Sequence, residues 1–86
     1  MISVNELKTM TVEQSAKAVL NDLETRIIAS RYIPDSFDPN LRVVDLAWVY
    51  PKEITQAIVW ELLESGYAVK LYQLDGGIRI HIEYFV

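Results

Sequence analysis

His81 is the only histidine of the chain, and it stands between Ile80 and Ile82 in an alternating run, Ile78-Arg79-Ile80-His81-Ile82-Glu83. Alternation of this kind puts every second side chain on one face of a strand, so Arg79, His81 and Glu83 share the face opposite the isoleucines. An imidazole that titrates near neutral pH, with a carboxylate to orient it, is the minimal acid–base pair. Chemistry would also need a nucleophile, and none lies near in the sequence. Residues two apart on one strand need not hydrogen-bond, so the expectation for His81 is a solvated position on a sheet surface.

The other candidate constellations are weaker still. Asp35, Asp38 and Asn40 offer oxygen ligands on one stretch, but they lack the central glycine and terminal bidentate glutamate of a calcium loop, and Pro34 and Pro39 stiffen the path. Turn formation accounts for these residues. Gly76-Gly77 lies between two strand-like runs and is explained by a turn rather than by a phosphate loop. There is no serine or cysteine nucleophile motif, no carboxylate pair of defined separation and no pair of histidines at helical spacing. The expectation is a protein that is not an enzyme and carries no metal or cofactor.

What remains is binding surface. Lys70, Tyr72, Arg79 and His81 combine cations with an aromatic face, a set that suits a phosphorylated small ligand such as a nucleotide. Trp60 and Phe85 add apolar aromatic area, and aromatic and arginine side chains dominate interface energetics. Together these six residues form the candidate interaction surface.

The elements that position them can be read from pattern. Thr11 and Gln14 form a capping box, and Val12, Ala16, Val19, Leu20, Leu23 and Ile27 recur at helical spacing, predicting a helix over 11–31 that packs by one stripe. Tyr32 to Asn40 is a turn-rich loop. Leu41 to Tyr50 reads as a strand with Val44, Leu46 and Trp48 on one side and Val43, Asp45 and Ala47 on the other. A second helix is expected over 51–65, with Pro51 at its first position, Ile54, Ile58 and Leu62 on its main face, Trp60 roughly opposite, and Gly66 in the left-handed position past its end.

Two β-rich runs, Tyr67 to Gln73 and Ile78 to Tyr84, flank Leu74-Asp75-Gly76-Gly77, and Asp-Gly predicts a two-residue type I′ hairpin turn. The corresponding register sets Val69 against Ile82, Leu71 against Ile80 and Gln73 against Ile78. It leaves Ala68, Lys70 and Tyr72 facing Glu83, His81 and Arg79 on the outer face. A three-residue loop would set buried-type against exposed-type positions, so patterning selects the even register. The order helix, strand, helix, strand, strand gives an α+β domain: a small antiparallel or mixed three-stranded sheet, two helices on one face and a C-terminal β-hairpin. Residues 1–9 are expected to be a mobile arm.

Length and composition bound the rest. Eighty-six residues make one domain with a modest core, and a hydrophobic share of 51% leaves apolar surface outside, which self-association or a partner protein covers. No cysteine is present, so neither a disulfide framework nor a thiolate metal site is available, and a cytoplasmic setting fits. The N-terminal residues lack the pattern of a leader, and no apolar run approaches the ~20 residues of a membrane span. Eight basic against twelve acidic side chains give a net charge of −4, the wrong sign for nucleic acid.

Leu62-Leu63-Glu64-Ser65-Gly66-Tyr67-Ala68-Val69, followed by Ile78-Arg79-Ile80-His81-Ile82, resembles small accessory proteins of tailed bacteriophages, in which a glycine-ended helix leads into a terminal hairpin. The resemblance spans roughly residues 11–84 and supplies no site motif. It implies a virion component or a small protein that binds and modulates a host or phage macromolecule, in the host cytoplasm. The resulting expectation is a non-enzymatic, homo-oligomeric interaction protein, with nucleotide sequestration between subunits and a structural virion role as the alternatives.

Overall fold

The computed structural model describes residues 1–86. Its elements are α1 (Val4–Thr9), α2 (Val12–Ser30), β1 (Leu41–Ala47), α3 (Lys52–Glu64), β2 (Ala68–Leu74) and β3 (Gly77–Phe85). The fold is α+β, with one antiparallel sheet in the order β1-β3-β2. Helix α2 packs on β1, α3 packs on β2, and the two helices pack on each other, so both cover one face of the sheet. The other face has no layer over it. No helix is long and apolar enough to cross a membrane.

The helix boundaries follow from their caps. Thr11 accepts from the Gln14 N–H at 3.1 Å while the Gln14 side chain accepts from the Thr11 N–H at 2.9 Å, the reciprocal box that the sequence predicts. At the end of α3 the Tyr67 N–H reaches the Leu62 carbonyl and the Gly66 N–H reaches the Leu63 carbonyl, with Gly66 at φ +96°. This is a Schellman closure, and the left-handed residue it demands is the glycine. Pro51 departs from expectation. It is the N-cap, with extended backbone at ψ 165°, rather than the first helical residue.

Ala16, Leu23 and Ile27 from α2, Ile54, Ile58 and Leu62 from α3, Val44 from β1, Trp48 just after it, and Ile80 and Ile82 from β3 make the core. Ile58, Ile80 and Ile82 are its fully enclosed centre. The polar groups that enter this layer are paired. Ser30 and Tyr84 hydroxyls meet at 2.7 Å and share the Ile27 carbonyl, and the Trp48 indole N–H donates to Thr55 Oγ1 at 2.7 Å.

The hairpin register is the one predicted, with Leu71 opposite Ile80, Val69 opposite Ile82 and Lys70 opposite His81. The turn type is not. A type I′ turn needs positive φ at both Asp75 and Gly76, whereas the only positive φ in the hairpin is +120° at Gly77. Asp75 thereby avoids the steric cost of a Cβ in left-handed space, and Gly77, which has no Cβ, takes the unusual conformation. Leu71 faces the helices as expected but stays 42% exposed, because β2 is an edge strand.

Within residues 1–9, the expected arm, six form α1, capped by Ser3 accepting from the Glu6 N–H at 3.1 Å. No residue of α1 is buried and the helix touches no other element.

Candidate functional site

Because β3 is central and antiparallel to both neighbours, its outward side chains have a partner on each side. The register sets Asp45 opposite His81 and Ala47 opposite Arg79 across one ladder, and Lys70 opposite His81 and Tyr72 opposite Arg79 across the other. Asp45, Tyr72, Arg79, His81 and Glu83 therefore converge on the uncovered face.

Asp45 is the hub. One of its carboxylate oxygens accepts from Arg79 Nε at 2.6 Å, and the other accepts from the Tyr72 hydroxyl and lies 3.0 Å from His81 Nδ1. A terminal guanidinium nitrogen of Arg79 also donates to the Asp45 backbone carbonyl at 3.3 Å. The second imidazole nitrogen, Nε2, lies 2.7 Å from Glu83 Oε1. Residues two apart on a strand need not bond, but here they do. The bond exists because Asp45 fixes the ring from one side and turns Nε2 toward Glu83.

The electrostatics follow from these contacts. Partial desolvation pushes the Asp45 carboxyl up, but hydrogen bonds from Tyr72, His81 and Arg79, with the charge of Arg79, outweigh it and hold the group at about 2. Hydrogen bonding to Asp45, then to Glu83, raises the His81 imidazole above its ordinary value against a smaller desolvation effect. The bond to Asp45 likewise raises Tyr72 and Arg79. A histidine held between two carboxylates favours its doubly protonated form, which has no lone pair to act as a base or metal ligand. No group of three or more His, Asp or Glu side chains is placed to hold a metal ion.

Of the six residues singled out in the sequence, Tyr72, Arg79 and His81 meet in this network. Lys70 shares their face but makes no ion pair or side-chain hydrogen bond. Phe85 also points outward, opposite Leu41, and is 69% exposed. Trp60 lies apart, on the helix side of the molecule beside Leu63 and Leu71, and is 64% exposed. Asp45 is the residue that motif reading missed. Its signal was its place on the polar side of the first strand, but only the strand order shows that it faces His81. Asp35 and Asp38, considered above as calcium ligands, instead accept backbone N–H bonds within their own loop, Asp35 from Phe37 and Asp38, and Asp38 from Asn40. Comparison of the chain with protein-family models, curated proteins and solved structures gives no match.

Proposed function

We propose that this chain is a non-enzymatic interaction protein that binds and modulates a protein partner through the uncovered face of its sheet. The observation that carries this reading is the Asp45 network. It holds Tyr72, Arg79, His81 and Glu83 in one arrangement before any partner arrives, so little side-chain freedom is lost on contact. Their charges are largely matched within the face, which lowers the desolvation cost of covering it. Around this polar centre lie Lys70, free to pair with an acidic group, and Phe85, an exposed aromatic anchor.

The resemblance to tailed-bacteriophage accessory proteins supplies a setting in which the partner is a host or phage macromolecule. A nucleotide ligand has less support, because the guanidinium and imidazole it would use are engaged by Asp45 and Glu83. A structural virion role predicts high-copy co-purification with particles and uses the same face.

A photo-crosslinking amino acid at position 70 or 85 tests the reading in a native lysate, with position 17 on α2 as the control. One discrete adduct from 70 and 85, lost on competition with unlabelled protein and absent from 17, supports it. Lys70→Glu and Phe85→Asp, at positions with no side-chain bond to lose, should then weaken binding at least tenfold with folding unchanged. Absence of a specific adduct from both sheet positions overturns the proposal.

A further inference from the structure

The two edges of the sheet are not equivalent. On β1 the Leu41 carbonyl accepts from the Asp35 N–H at 3.3 Å, and Arg42 fastens the preceding loop through the Arg31 and Pro39 carbonyls. On β2 no backbone group of residues 68–74 is bonded to anything but β3. The parity of the ladder says which groups are left over. Ile78 gives its carbonyl to the Trp48 N–H on the β1 side, so the even-numbered residues of β3 turn their backbone away from β2. Their partners Val69, Leu71 and Gln73 therefore direct N–H and C=O outward along the free edge. Natural edges are blunted by proline, bulges, inward charges or edge lysines, and of these β2 has only Lys70, which lies on the outer face.

Beside this edge, on the helix side, Thr55, Gln56, Val59, Trp60, Leu63 and Leu71 form one surface strip without an ionisable group, on a chain of net charge −4. Trp60, Leu63 and Leu71 are 64%, 51% and 42% exposed. An open strand edge and an uncharged apolar strip are thus contiguous. We infer that this composite surface is the contact between two copies of the chain, with the β2 edges paired antiparallel about a two-fold axis at Leu71.

The sequence of β2 suits that symmetry. Centring on Leu71 overlaps the whole strand, setting Ala68 against Leu74, Val69 against Gln73 and Lys70 against Tyr72 of the second copy, with no like charges opposed. The outward groups of Val69, Leu71 and Gln73 then complete about six backbone hydrogen bonds. The strips meet underneath, α3 against α3, and close Trp60 and Leu63 from water. Edge pairing and strip closure together work toward the total of about 1,000 Å² that a specific interface clears. The product is a continuous six-stranded sheet whose two uncovered faces merge into one. The inference does not depend on what that face binds.

A chain without cysteine makes the test direct. Across a hydrogen-bonded antiparallel pair the Cα atoms lie about 5.5 Å apart, within disulfide reach. Mild oxidation of Leu71→Cys should give a covalent dimer. Val69→Cys, opposite Gln73 rather than itself, should not, and neither should Val43→Cys on β1. By sedimentation velocity the unmodified protein should reach twice its 9.9 kDa mass at high micromolar concentration. Trp60→Glu should sediment as a monomer with an unchanged circular dichroism spectrum. A wild-type monomer that fails to cross-link through Leu71→Cys overturns the inference. So does a dimer that survives Trp60→Glu and cross-links through Val43→Cys.

Discussion

On its helix-facing side β3 places Ile80 and Ile82 wholly out of solvent against Val44, Ile58 and their neighbours. On its other side, one residue away, Arg79 and His81 reach across to Asp45, Glu83 meets His81, and the three remain 27 to 40% exposed. The same strand is held by burial on one face and by directed, charge-assisted hydrogen bonds on the other. Burial has no preferred partner and scales with area, whereas the network specifies which residues sit opposite one another. Stability should therefore come mainly from one face, and fixed surface geometry from the other.

The strongest way to separate the two is to cut each. Ile80→Ala should cost about 3 to 4 kcal/mol by removing a fully enclosed side chain, which urea unfolding will register as a large fall in midpoint. Asp45→Asn should cost only about 1 to 2 kcal/mol, since the bonds it weakens lie near solvent. It should nevertheless lower the His81 titration midpoint followed by NMR and loosen the ring resonances of Tyr72. If Asp45→Asn proves as damaging as Ile80→Ala, the division between the faces fails.

Tyr84→Phe probes the boundary, a polar group inside the apolar layer. It removes the hydroxyl that meets Ser30 but leaves Ser30 to satisfy the Ile27 carbonyl, so about 1 kcal/mol is expected by thermal unfolding. The network can also be read through pH dependence. The raised folded-state value of His81 stabilises the fold below about 6.5 and is lost as pH rises through that raised value. The lowered value of Asp45 stabilises above about 3.9 and is lost as pH falls toward 2. Stability should thus be greatest from about pH 4 to 6.5. His81→Gln should flatten the alkaline limb, and Asp45→Asn the acid limb.

Much of the architecture was legible because it depends on local pattern. The Thr11–Gln14 box, the glycine at 66 and the alternation through Ile78, Ile80 and Ile82 fix helix ends and hairpin register without reference to anything distant. The site was legible only in part. Tyr72, Arg79 and His81 share a face through the hairpin, so local register brings them together. Asp45 joins them across a ladder to a strand some 36 positions earlier, and nothing local decides whether β2 or β3 pairs with β1. The turn type was misread for the opposite reason. With two glycines in succession, the dipeptide preference for Asp-Gly does not say which residue takes positive φ.

The order of the strands also governs how the chain is built. β3 lies between β1 and β2 in space but follows both in sequence, so a ribosome releases two strands and their helices before the strand that joins them exists. A nascent chain ending before Ile78 has neither ladder, and α2 and α3 have no Ile80 or Ile82 to rest on. Vectorial synthesis cannot assemble this sheet piecemeal. Stalled or truncated products should be aggregation-prone and readily degraded, while protease resistance should be acquired in a single late step, once β3 is free to pair.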